Sequence, residues 1–106
     1  SQAMRAQAIS LYQAQTNEIT AKLRQQIAIA EQSLKSVKLY QTAILPQAKL
    51  TVESALSAYQ VGRVDFLTLL DNQMTVFDYE ASLITAMANY NKALAEIDFL
   101  SGKKQH

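Results

Sequence analysis

Few side chains in this chain are equipped for chemistry, and their spacing brings none of them into a working set. The sequence holds 1 His, no Cys and 9 Asp+Glu. His106 is the last residue, and no ligand or base role is expected of it. Serines and threonines are plentiful, but turning a hydroxyl into a nucleophile needs an adjacent base, and no internal His supplies one. Asp78 and Glu80 stand two residues apart, which on a helix points them to different faces and rules out an acid/base pair. Asp71 and Asp78 share a face one heptad apart, the spacing of a solvated stripe. Met4, Met74 and Met87 are dispersed as packing residues, not gathered into a soft-metal relay. Tyr12, Tyr40, Tyr59, Tyr79 and Tyr90 are too scattered for a base-stacking platform. The expectation is a protein that is no enzyme and has neither cofactor nor metal.

The elements that carry these residues follow from composition. In 106 residues there are 2 Gly, 1 Pro and 49% hydrophobic residues, with 10 Lys+Arg giving a formal net charge of +1. So apolar a chain does not stay disordered. So few turn-formers do not suit a β-sandwich or an α/β fold, and the expected class is all-α. Without Cys there is no disulfide framework and no thiolate chemistry. The balanced charge lacks the basic field that nucleic acid requires. The longest uncharged runs, 6–17 and 81–91, fall well short of the roughly 18 residues of a membrane span, so no membrane contact is expected within these residues. The helical pattern is already running at residues 3–12, with neither an initiator Met nor a signal-peptide core before it. The reading is a fragment of a larger protein.

Apolar residues recur along the first half at Ile19, Leu23, Ile27, Ala30, Leu34, Val37, then Ile44, Ala48, Val52, Leu56 and Tyr59. The mean step of about 3.5 residues is that of a helix packing along one seam. Pro46 interrupts the pattern by removing a donor and clashing with the carbonyl four residues back. Its neighbours, 43–45 and 47–48, are helix-compatible, so a kinked continuous helix is favoured over a break. The turn falls at 61–65. There Gly62 can take the left-handed conformation that closes a helix, and Asp65 can cap the next one. Val64 and Leu69 occupy the positions of a hydrophobic staple. So short a connection makes the helices antiparallel. The expected bounds are a helix over about 3–61, a tip turn over about 62–65, and a helix over about 66–100 that stops at Ser101-Gly102, with Lys103 and Lys104 following. At about 1.5 Å per residue the arms would span roughly 85 Å and 50 Å.

The second helix is apolar over too wide an arc for one neighbour. Leu69, Val76, Leu83, Tyr90 and Ile97 recur every seven residues. Leu70, Phe77 and Ile84 run beside them, and Leu67, Met74, Ala81, Ala88 and Ala95 flank the other side. Thr75, Asp78, Ser82, Thr85, Asn89, Lys92 and Glu96 form the polar strip. Such a helix is built to sit between two neighbours. A two-helix hairpin offers it one, so self-association is expected.

The stretch 58–73, AYQVGRVDFLTLLDNQ, resembles the "A-Y-x-x-G, then L-L-D-x-Q" signature of TolC-like outer-membrane efflux proteins. Glu80, Leu83, Ala86, Tyr90, Ala93, Leu100 and Gly102 fit the family's following helix, and Leu39-Tyr40 with Ile44-Leu45-Pro46-Gln47-Ala48 fit its upstream segment. The resemblance covers about 19–103. It implies one periplasmic hairpin of a trimeric channel whose tunnel is a barrel of packed α-helices, in a Gram-negative outer-membrane protein. By position, Tyr59, Val61, Gly62 and Arg63 match the tip at which a periplasmic adaptor docks, with an inner-membrane pump engaged indirectly. Asp71 and Thr68 match positions lining the tunnel entrance, and a ring of carboxylates there would favour cations. For Asp71 a plain solvated surface remains the other reading. The family's gating Arg, two residues after the glycine, is Val64 here, and an acidic residue three before Asp71 is Thr68, so the family's salt-bridge latch does not carry over. The implied function is passive conduction of exported solutes in a tripartite efflux system. The competing reading is a soluble helical-bundle or coiled-coil interaction or signalling module. Lipid-surface binding is disfavoured because the polar strip lacks a Lys/Arg-rich face.

Overall fold

In the computed structural model, residues 1–105 are described, and the terminal His106, to which no chemical role was assigned, lies outside them. Every element is helical: α1 (Gln2–Leu39), a π-turn (Tyr40–Ile44), α2 (Leu45–Gln60) and α3 (Phe66–Gln105). No helix among the described residues is long and apolar enough to cross a membrane.

The chain forms two compact units. The first contains the turn and comprises Gln32–Ala88. Here the two arms run antiparallel, as two ring pairs record: Tyr40 meets Tyr79 and Tyr59 meets Phe66, each with centroids 6.0 Å apart. Between the arms Ser33, Leu45, Ala55, Val76 and Ala86 are buried. The second unit joins Ser1–Glu31 to the last part of α3, from Asn89 onward. It buries Ala30, Ala93 and Leu100, and Ala93 is only 1% exposed. Residues 1–15 of that unit are exposed throughout. Most of the buried positions are Ala or Ser, whose small side chains let helix backbones approach closely. Among the described residues no large side chain is fully buried. So thin a core is a weak source of stability for a single chain.

Pro46 does not break the first arm. Leu39, Ile44 and Leu45 all keep right-handed helical backbone angles, and Pro46 sits in the first turn of α2. The adjustment falls just upstream, where the Leu45 amide donates to the Tyr40 carbonyl, five residues back in place of four. A π-turn of this kind inserts one residue into a helix. The seam shifts accordingly. Upstream it holds Ala30, Ser33, Val37 and Tyr40; downstream it holds Leu45, Ala48, Val52 and Ala55. Ile27, Leu56 and Tyr59, expected in the seam from hydrophobicity, are exposed.

The expected stop at Gly102 is corrected: α3 continues to Gln105. Gly102 does not adopt the positive φ of a helix-closing glycine, which among the described residues only Gly62 shows. The Lys103 ammonium lies 5.0 Å from the Phe99 ring centroid, one helical turn back, a cation–π pair that suits continued helix. The two glycines therefore respond oppositely to alanine. A Cβ meets no atom at either site, so backbone preference alone decides. Gly62→Ala, at φ 75, is expected to destabilise by about 1–2 kcal/mol. Gly102→Ala is expected to stabilise by up to about 1 kcal/mol, less where the helix end frays. Urea unfolding followed by circular dichroism checks both signs.

Candidate functional site

Two surfaces stand out, the turn and the outer face of α3. The turn is built by short-range bonds. The Arg63 amide donates to the Ala58 carbonyl (2.8 Å) and the Gly62 amide to the Tyr59 carbonyl (3.0 Å), the paired bonds of a Schellman closure around left-handed Gly62. Asp65 then caps α3: its carboxylate accepts the Thr68 amide at 2.9 Å and the Thr68 hydroxyl at 2.7 Å. Val64 and Leu69, the staple positions, are both half-buried. The Thr68 hydroxyl, and after it the Thr68 amide, holds the Asp65 carboxyl below its ordinary 3.8. A carboxylate depressed in the folded state adds stability that is present above about pH 4 and lost as pH falls through the lower folded value. Asp65→Asn, which preserves capping without titrating, is expected to flatten the acid side of the stability profile. Urea midpoints at pH 7 and pH 3 measure this, and identical pH dependence in the two proteins would contradict it.

The sequence-predicted tip residues do come together at the turn. Tyr59 lies edge-on to Phe66, Val61 is 69% exposed, and Arg63 is exposed. Thr68 and Asp71 follow on the first turns of α3, both exposed. The Thr68 hydroxyl is engaged by Asp65, while the Asp71 backbone carbonyl accepts the Thr75 hydroxyl at 3.0 Å. Phe66, Leu67 and Leu70 are also exposed here and extend the apolar surface of the tip. For Leu67 and Leu70 the place in a heptad stripe was the available signal; Phe66 lies outside the stripes.

The outer face of α3 carries the second stripe. Leu67, Leu70, Met74, Phe77 and Ile84 are exposed, Phe77 at 57% and Ile84 at 66%. With Ala81 and Ala88 they step by three and four residues in alternation, so they form a continuous second seam. From Leu67 to Ile84 it runs about 25 Å. The seam of Leu69, Val76, Leu83 and Ala86, buried or half-buried against the first arm, lies on the opposite side of the helix.

Among the described residues no cluster of His, Cys, Asp or Glu could hold a metal ion, and no buried side-chain polar atom lacks a hydrogen-bond partner. In comparisons with family models, curated proteins and solved structures, nothing matches this chain.

Proposed function

We propose that this chain is a wall segment of the periplasmic α-helical tunnel of an outer-membrane channel, acting as a trimer within a tripartite efflux system. The observation that carries the reading is the second apolar seam on α3, opposite the one its own chain covers. A helix with two seams takes one neighbour from its own chain and one from outside, and repeating that contact builds a wall of helices. The likeness of residues 58–73 to the efflux signature supplies the rest of the reading. In this role Tyr59, Val61, Gly62 and Arg63 dock a periplasmic adaptor, which links the channel to an inner-membrane pump. Asp71 and Thr68 line the entrance, where carboxylates favour cations. Conduction is passive.

The outward side of α1 favours a second reading. Arg24, Glu31 and Lys38 recur there every seven residues, all exposed, so that face is a solvated one. A helical-bundle interaction module, in which α3 alone takes a partner, fits this feature better than a wall does. Fractionation of the source cells with an antibody against this chain separates the two. The tunnel reading expects the parent protein in the outer membrane as a trimer. Recovery from the soluble or inner-membrane fraction would overturn it in favour of the module.

A further inference from the structure

The π-turn leaves the first arm with a choice of phase. Upstream, the seam residues Ala30 and Val37, and Ser33 and Tyr40, are each seven apart. Continued without interruption, that repeat would bring Ile44, Gln47, Thr51 and Ser54 against α3. The structure instead puts Leu45, Ala48, Val52 and Ala55 there, one residue later, which corresponds to a rotation of about 100° around the helix axis. The positions passed over are not idle. Ile44, Gln47 and Thr51 border a groove of about 330 Å³ whose far side is Asn72, Thr75 and Tyr79 of α3, with Ala48 between. The space beside α2 therefore lies on the side to which the uninterrupted repeat points. Its far wall carries an amide (Asn72) and two hydroxyls (Thr75 and Tyr79), of which the Thr75 hydroxyl already donates to the Asp71 carbonyl.

We propose that α2 has two registers against α3, and that the π-turn is the element that holds or releases the extra residue. In the second register the turn closes into ordinary α-helix. Ile44, Gln47 and Thr51 then turn from the border of the groove into the seam against α3, and Leu45 and Val52 leave it. Pro46 sets the balance. It has no amide hydrogen to give the Thr42 carbonyl, and its ring crowds that carbonyl in an α-helix, so it favours the wider π geometry observed. The Thr42 hydroxyl donates to the Lys38 carbonyl at 2.6 Å, the same four-residue back-bond that Thr16, Thr51 and Thr75 make in ordinary α-helix. The consequence reaches the turn, because rotating α2 re-aims Tyr59 and Val61 at its end. A ligand or partner that prefers either presentation would shift the balance. This inference needs only the hairpin and is independent of the tunnel reading.

Disulfide trapping tests it on the full chain. Cysteines replace Thr51 of α2, exposed in the observed register, and Asn72 of α3 on the other wall of the groove, in three backgrounds: unchanged, Pro46→Ala, and Pro46→Ala with Gln41 deleted. Removing the proline is expected to speed cross-linking by about tenfold or more, because the second register becomes more populated. Deleting Gln41 removes the surplus residue, fixes the observed seam as continuous α-helix, and is expected to return cross-linking to the slow rate. Rates within about twofold of one another in all three backgrounds would overturn the proposal. Should the deletion variant fail to fold, amide relaxation dispersion on the Pro46→Ala chain decides. Exchange at Ile44, Gln47 and Thr51 supports two registers, and flat profiles there overturn them.

Discussion

Leu45→Ala is expected to lower the unfolding free energy by about 2–5 kcal/mol, and Ile44→Ala by about half of that or less. The two residues are neighbours of nearly equal hydrophobicity, so composition gives no reason for a difference. The difference comes from the π-turn, which advances the seam by one residue. Leu45 is 7% exposed and closes the interface at the start of α2, whereas Ile44 is half-buried on the rim of the groove. Truncating Leu45 leaves a void between two helices already held by small side chains, while water can fill the space vacated by Ile44. Urea unfolding of both variants at one protein concentration measures the contrast. Equal losses, or a larger loss for Ile44→Ala, would show that the seam runs straight through residue 44.

The double substitution Phe77→Lys and Ile84→Lys is expected to abolish self-association while leaving the hairpin folded. Both side chains lie on the second seam of α3 and contribute little to the interior of their own chain. Exposed substitutions of this kind usually change the stability of a fold by no more than about 0.5 kcal/mol each. At an interface the same changes set two ammonium groups against the apolar seam of the neighbour, where desolvation without a partner is costly. The oligomer should therefore dissociate by orders of magnitude in concentration with its helical signal retained. If some of the hairpin's own stability comes from assembly, the unfolding midpoint of the unchanged chain should rise with concentration and that of the variant should not. Association that survives both substitutions would place the interface elsewhere.

The parts of the fold legible in the sequence are those fixed by local chemistry or by an unbroken repeat. Gly62 and Asp65 specify the turn through bonds within five residues of themselves, and the structure has both. The heptad of Leu69, Val76, Leu83, Tyr90 and Ile97 runs along α3 without insertion and is buried or half-buried, although Ala86, Ala93 and Leu100, the other buried positions of α3, lie beside it and outside the repeat. The first arm was harder for two physical reasons. Its buried positions include Ser33 and Ala55, small residues that permit near approach, and hydrophobicity ranks Ile27 and Leu56 above them. Its phase also changes at the π-turn, an event with no sequence signature beyond Pro46 nearby. Gly102 misled for a related reason: glycine ends a helix only when the chain takes up its left-handed conformation, and here the chain continues past it as helix. The tip residues named from the sequence do cluster, but Phe66, Leu67 and Leu70 extend that surface, and Leu67 and Leu70 belong to the α3 stripe as well.

The central claim is that α3 is built for two neighbours and has only one within its own chain. Sedimentation equilibrium of the 106-residue chain across a wide concentration range tests it most directly. The account predicts a mass above that of the monomer, rising with concentration, in a sample whose circular dichroism is fully helical. A well-folded species that stays strictly monomeric at every concentration would contradict it.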